Sequence, residues 1–176
     1  MSPDTERAEP LTSAEAAFWR SLMRALVVVP RVLDEDLDEA ERLSVNQYAI
    51  LMFLSEAGDQ RMRLGELAQN TSLTISGITR LVNRLAADGL VERTPCDDDG
   101  RGFYASLTPR GLGRLERAYP AHLASARAHV IDHLAGFDLD ALAAAFMCFG
   151  DERYEGFQRS ATSPSVGRPG ADMLPA

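Results

Sequence analysis

Residues 64–111, LGELAQNTSLTISGITRLVNRLAADGLVERTPCDDDGRGFYASLTPRG, decide the fold of this 176-residue chain. A short apolar helix is expected over 64–69 and a turn over 70–73. Thr74 then provides an N-cap for a second helix over 75–87, because its hydroxyl can accept from the first free backbone N–H groups. The stretch therefore predicts a helix-turn-helix.

The second helix of this pair separates apolar from polar side chains at the helical period of 3.6 residues. Its apolar face holds the residues that we expect to pack inward, which are Ile78, Leu81, Val82 and Leu85. Its other face is left to contact a partner, and it holds Ile75, Ser76, Thr79, Arg80, Asn83 and Arg84.

That outward face carries the groups that DNA recognition needs. The helix N-terminus at Thr74 can face a phosphate, and Arg80 and Arg84 can donate to phosphates or to guanine. Asn83 can pair with adenine. We predict that Thr74 and the six outward residues contact DNA; the alternative for Arg80 and Arg84 is that both are ordinary solvated surface charges.

A hairpin is predicted directly after this helix. Asp88 and Gly89 end the helix, and two strands are expected over 90–93 and 103–107. The nine-residue connection between the strands is rich in Asp and Gly, and Arg101 is the only cation near its tip. We predict that Arg101 enters a minor groove, where the negative potential of DNA is focused, although it could also be a plain loop residue.

The rest of the chain is expected to surround this lobe with helices. We predict a flexible segment over 1–13, an N-terminal dimerisation helix over 14–43, the DNA-binding lobe over 44–109, C-terminal dimerisation helices over 110–158, and a disordered tail over 159–176. The first and last helices are more apolar than one small domain needs, which predicts a homodimer. The fold class is thus mainly α with a small β-wing, a winged helix-turn-helix with a helical dimerisation region.

The distribution of charge locates the predicted interface. The net charge is −8, yet residues 61–117 hold nine Arg against seven Asp and Glu, whereas both flanks are acidic. No long uncharged apolar stretch is present, and the two Cys lack CxxC spacing. The sequence predicts a cytoplasmic protein without a disulfide framework and without a membrane span.

No enzyme motif is present, since GxSxG, HExxH, a P-loop and GxGxxG are all absent from the sequence. His129 and His133 have the i, i+4 spacing that can hold zinc, but no Cys or Glu lies nearby at ligand spacing. We therefore predict that the protein is not an enzyme and that it has no metal site and no cofactor.

The chain resembles the MarR family. The resemblance is carried by three stretches: LGELA at 64–68, TRLVNRL at 79–85 followed by GLV at 89–91, and DGR at 99–101 leading into LTPRG at 107–111. It implies a dimer whose two lobes enter successive major grooves, with the wings in flanking minor grooves. It also implies that Asp99 holds the wing tip by a salt bridge to Arg101.

A ligand pocket follows from the same resemblance, because the family typically binds small aromatic acids or other lipophiles between the dimer helices and the lobe. The residues that could line such a pocket here are Trp19, Arg20, Met23, Arg24, Tyr48 and Met52. Arg20 and Arg24 would suit a carboxylate, or could pair with acidic neighbours. The alternative for the apolar members is ordinary core packing.

Together these observations predict a sequence-specific transcriptional regulator, a ligand-responsive repressor that binds a pseudo-palindromic operator in double-stranded DNA as a homodimer. The alternative is a winged-helix module for protein–protein contacts without specific DNA binding, which the net charge of −8 motivates. A salt titration with DNA separates the two, because a DNA binder loses affinity steeply as counterions compete.

Overall fold

A computed structural model describes residues 9–96 and 102–149 of the chain. The described elements, in chain order, are α1 Ser13–Glu41, α2 Val45–Glu56, β1 Arg61–Arg63, α3 Leu64–Thr71, α4 Ile75–Ala87, β2 Val91–Pro95, β3 Phe103–Leu107, α5 Pro109–His129, a 3-10 helix Ile131–Leu134, and α6 Leu139–Met147. The fold class is confirmed as mainly α with a small β-wing. The predictions for Asp99, Arg101 and the tail over 159–176 lie outside the described residues, as does most of the segment over 1–13.

The helix α1 is capped at its start and is packed against the rest of the protomer only along its second half. Thr12 and Glu15 form a capping box at the N-terminus. Near the other end, the Glu41 carboxylate pairs with Arg114 and accepts from Nε of Arg117, both in α5, and Asp36 accepts from the hydroxyl of Ser125. The C-terminal half of α1 therefore runs antiparallel to α5, while its N-terminal half projects with most side chains exposed.

The core lies where α1, α2 and α5 meet the helix-turn-helix. Side chains with essentially no exposure come from every layer of the lobe: Leu37, Ile50, Leu51, Leu54, Leu67, Ile78, Val82, Leu85 and Leu115. The apolar face predicted for α4 is thus turned inward, and its polar face is left outside.

The sheet has three strands in the order β1-β3-β2, both pairs antiparallel. The sequence predicts only the two strands of the hairpin, and the structure adds β1 as a third strand. β1 has three residues, of which only Met62 is apolar, so it shows no alternation of apolar and polar residues that could predict a strand. β2 starts one residue later than predicted and ends two later, because Pro95 still pairs with Phe103.

A 3-10 turn and a short helix follow α5. The α-helix ends at His129, and Val130 leaves helical geometry with φ −135°. Ile131–Leu134 then forms the 3-10 turn, and Asp138 caps α6 by accepting from the N–H of Ala141. Among residues 9–96 and 102–149, no helix combines the length and the apolar character needed to cross a membrane.

A tight junction joins the end of α4, the start of β2 and the start of α5. Gly89 has φ +70°, the left-handed conformation that glycine adopts without strain. The Thr108 hydroxyl donates to the carbonyls of Gly89 and Leu90 and accepts from the N–H of Gly111. Gly111 packs so closely on the Leu90 carbonyl that a Cβ would overlap it. The LTPRG motif therefore ties α5 to the end of α4.

Candidate nucleic-acid interface

The two helices of the helix-turn-helix are joined by a turn with local stabilisation. Ser72 follows α3 as its C-cap with φ +54°, and the N–H of Leu73 donates to the Ala68 carbonyl. Thr74 then caps α4 by accepting from the N–H of Gly77 at 3.1 Å. The N-cap predicted at Thr74 is confirmed, and its hydroxyl oxygen is therefore already engaged at the helix start.

The polar face of α4 is open to solvent within one protomer. Ser76, Arg80, Asn83 and Arg84 are exposed, and Ile75 is 56% exposed despite being apolar. Thr79 is half-buried, and its hydroxyl donates to the Ile75 carbonyl. The structure thus brings all the residues predicted on α4 to one outward surface.

One edge of this face meets the wing through Arg93, which the sequence analysis missed. Nη1 of Arg93 donates to Oδ1 of Asn83 at 3.4 Å, and its guanidinium lies 3.5 Å from the centroid of the Phe103 ring. A cavity of about 510 Å³ opens beside this contact between α3, α4 and the wing, and Ile75, Thr79 and Cys96 help to line it.

The opposite edge of α4 has different electrostatics. Arg84 lines a cleft of about 490 Å³ between α4 and the C-terminal half of α1. Four carboxylates line that cleft, those of Asp34, Glu35, Asp38 and Asp88, against one further arginine, Arg42, which pairs with Asp38. Phosphates are repelled by such a lining, so Arg84 stands in a less favourable position for DNA than Arg80 does.

The outer face of the sheet, opposite to the face that holds Arg93, carries a second cationic cluster. Arg61 stacks on the Tyr104 ring with 4.3 Å to the centroid, and Nε of Arg63 donates to the Tyr104 hydroxyl. Arg61 also pairs with Asp59 at 3.3 Å. These cations belong to the DNA-binding lobe, but they lie on the opposite face of the sheet from Arg93.

The six residues predicted for an effector pocket are spread along one protomer. Trp19, Arg20, Met23 and Arg24 lie on the projecting half of α1, and Trp19 is 53% exposed. Trp19 precedes Leu37, the α1 residue that enters the core, by about 27 Å of helix. Tyr48 is buried in that core and Met52 is half-buried against it. A pocket that joins all six therefore stays a prediction about the dimer.

Tyr48 has a different partner inside the protomer. Its ring stacks on His122 of α5 with centroids 4.3 Å apart. Burial is the main cause that raises the pKa of Tyr48 to about 12, and burial lowers the pKa of His122. Both side chains are therefore held neutral at neutral pH, as an aromatic pair in the core requires.

The histidine pair considered for zinc is separated by the end of α5. His129 lies 3.3 Å from the Asp36 carboxylate, and His133 belongs to the 3-10 turn. In the part of the chain that the structure describes, no group of three or more His, Cys, Asp or Glu could hold a metal ion. Cys96 is buried after β2, and Cys148 is exposed after α6.

The geometry defines a class of protein. A capped helix of 13 residues follows a tight turn, turns a polar face with two arginines outward, and is flanked by an antiparallel hairpin. This arrangement is that of the winged helix-turn-helix DNA-binding proteins, in which the second helix enters the major groove.

Comparison with known proteins gives the particular family. The family model described as "MarR family" matches residues 43–102. The HTH-type transcriptional repressor YetL of Bacillus subtilis is 38% identical over 121 residues, which are 67% of this chain and 72% of that protein. The repressor IacR of Pseudomonas putida is 33% identical over 75 residues, 43% of this chain and 44% of that protein.

Solved structures agree with these matches. The MarR family regulator Sco3205 of Streptomyces coelicolor, in complex with DNA, superposes with a TM-score of 0.78 at 30% identity, over 84% of this chain and 92% of that one. AbsC of the same organism gives 0.71 at 36% identity, over 78% and 92%. The chain belongs to the MarR family. It is a DNA-binding transcriptional regulator and not an enzyme, as the sequence predicts.

Proposed function

We propose that this protein binds a pseudo-palindromic operator as a homodimer and represses transcription until a small molecule binds. One observation carries the proposal: α4 turns Ser76, Arg80 and Asn83 outward, and no contact among the described residues buries that face. The names of YetL and IacR as repressors, and the DNA complex of Sco3205, support it. Such a regulator acts in the cytoplasm, where the DNA is.

We propose the homodimer because a single protomer leaves many large apolar side chains exposed to water. They lie on the N-terminal half of α1, at the 3-10 turn, and on and around α6: Phe18, Trp19, Met23, Leu26, Val27, Ile131, Phe137, Leu139, Phe146 and Phe149. An exposed set of this size is typical of a protein interface. A second copy of the chain offers the complementary surface, because a two-fold axis places identical patches face to face.

The DNA contacts are proposed for the outward residues of α4 and for the wing. In each half-site α4 lies in the major groove, with Ser76, Thr79, Arg80 and Asn83 toward the bases and the α4 N-terminus, including Thr74 and Ile75, near the backbone. Arg84 contacts a phosphate at the edge of the groove. Arg101 reaches the adjacent minor groove, and Asp99 holds it there.

The test is selection of bound fragments from the genome that encodes the protein, followed by affinity measurements on the selected duplex. Half-sites should lie about 10 bp apart, since two lobes meet successive turns of one face of the duplex. Arg80→Ala should lower affinity roughly tenfold or more. Arg159→Ala is the control, because Arg159 belongs to the predicted tail and to no proposed DNA or dimer contact. Equal affinity of both variants and the wild type would refute the assignment of α4.

An aromatic carboxylate or a similar lipophile is the proposed effector. Trp19, Arg20, Met23 and Arg24 offer an apolar surface with two cations on one side of α1, and Tyr48 and Met52 are the lobe residues proposed to complete the site in the dimer. A bound ligand there would favour a lobe spacing that does not fit the operator. Quenching of Trp19, the only tryptophan, would report binding. A broad screen of such acids that changes neither fluorescence nor DNA affinity would reject this effector class.

A further inference from the structure

We propose that Arg93 is a positioning residue for base recognition: it holds the Asn83 carboxamide in one orientation and thereby sets which bases Asn83 can contact. The inference rests on the proposed function, because it takes Asn83 to lie in the major groove. It concerns a residue of β2, outside the helix that reads the bases.

Residues of both wing strands, β2 and β3, position the Arg93 side chain. Arg93 lies opposite Ala105 in the β2–β3 register, so its side chain shares the inner face of the sheet with the buried Ala105. Its guanidinium lies 3.5 Å from the Phe103 ring centroid. Nε of Arg93 is buried without a hydrogen-bond partner among the described residues. The stacking therefore fixes the guanidinium, and Nη1 is aimed at α4.

The chemistry of the two groups selects the orientation of Asn83. A guanidinium only donates hydrogen bonds, whereas a carboxamide has one accepting and one donating end. The end of Asn83 that faces Nη1 at 3.4 Å must therefore be Oδ1. Turning the amide by 180° would set its NH₂ group against a cation, which is unfavourable. The NH₂ group of Asn83 is consequently left for the DNA.

An amide held in this way discriminates among bases by hydrogen-bond polarity. In the major groove guanine, adenine and thymine each offer an acceptor, but cytosine offers only its N4 amino donor. An outward NH₂ group of Asn83 meets no acceptor on cytosine. The wild-type protein should therefore exclude cytosine at the base that Asn83 contacts, by roughly tenfold. Without Arg93 the amide is free to turn, and Oδ1 can then accept from cytosine N4.

The experiment measures base preference and not affinity alone. Wild type and variants are each used to select bound duplexes from a random-sequence library, and relative affinities are then measured for all four bases at each half-site position. Arg93→Met and Arg93→Gln differ in volume and polarity, and both should lose the exclusion of cytosine. Arg93→Lys should retain part of it, because an ammonium also only donates. Thermal melting identifies any variant that fails to fold.

Two further variants show whether Arg93 acts through Asn83. Asn83→Ala should itself abolish the exclusion, and adding Arg93→Met to it should change the preference no further. Arg61→Met is the matched control, because Arg61 also stacks on an aromatic ring but lies on the outer face of the same sheet. It should lower affinity at low salt on every sequence and leave the base preference unchanged.

The outcomes separate the two proposals. A wild-type protein that enriches no sequence would refute the proposed function, and this inference with it. A wild-type protein that selects an operator and excludes cytosine, with both Arg93→Met and Arg93→Gln folded and still excluding it, would overturn the inference alone. An Asn83→Ala variant with the wild-type preference would overturn it as well, since Arg93 would then have no reading group to orient.

Discussion

Replacing Gly111 by alanine should destabilise the protein strongly, although alanine is the better helix former. A Cβ at this position would lie 2.9 Å from both the carbonyl carbon of Leu90 and Cδ1 of Leu107, and closer still to the Leu90 carbonyl oxygen. Ordinary carbon–carbon contacts lie at about 3.5–4.0 Å, so the backbones must separate by roughly 1 Å.

That separation breaks the junction between α4, β2 and α5. The Thr108 hydroxyl bonds to Gly89 at 2.8 Å and to Leu90 at 3.1 Å stretch or break, at about 1 kcal/mol each. Overpacking adds about 1–3 kcal/mol, and helix propensity returns about 1 kcal/mol. The net expected loss of unfolding free energy is about 3 kcal/mol, or roughly 10 °C in Tm.

Gly113→Ala, in the same helix, is the matched control. The nearest atom to a Cβ there is Nη1 of Arg117 at 3.7 Å, an ordinary contact with a flexible side chain. This variant should therefore gain roughly 0.5–1 kcal/mol from helix propensity. Urea denaturation followed by circular dichroism, at one protein concentration because a dimer is expected, gives both values. A Gly111→Ala variant as stable as Gly113→Ala would refute the close approach of the two backbones.

Three further outcomes are expected. Burial lowers the pKa of His122, so the folded protein binds fewer protons than the unfolded chain at pH values below the usual histidine pKa of about 6.5. The unfolding free energy should therefore fall as the pH drops below that value. In denaturation curves from pH 8 to 5, His122→Phe should make the unfolding free energy less dependent on pH. Leu26→Glu places a charge in the proposed dimer surface, and light scattering should then show a monomeric mass where the wild type is dimeric. Arg84→Ala should weaken operator binding less than Arg80→Ala in fluorescence titrations, because Arg84 lies among carboxylates; the reverse order would contradict the charge argument.

Local signals in the sequence are sufficient to predict α4. The N-cap at Thr74, the apolar spacing of Ile78, Val82 and Leu85, and Gly89 at the end of the helix all act within one or two turns, and the structure has each of them. The strand β1 was missed because three residues carry no periodicity. Its pairing with β3 spans more than 40 residues of sequence.

The contacts that surround α4 could not be predicted because they depend on register. Arg93 reaches Asn83 only since β2 pairs with β3 so that Arg93 stands opposite Ala105. The place of Arg84 on the helix predicts a DNA contact, whereas its acidic neighbours on α1 are distant in sequence and meet it only in the folded chain. The LTPRG motif was recognised, but the close approach of Gly111 to Leu90 is a property of the folded chain.

The junction at Thr108 turns α5 into a lever arm. The 21 residues of α5 span about 32 Å, and the 3-10 turn that follows its far end carries Ile131, an exposed residue of the proposed dimer surface. A pivot of about 5° at that far end displaces the Thr108 end by roughly 3 Å, close to the rise of one base-pair step of about 3.4 Å. In the proposed dimer, a small rotation between the two chains would be magnified at the groove, because the hydrogen bonds from Thr108 to Gly89 and Leu90 couple α5 to the end of α4.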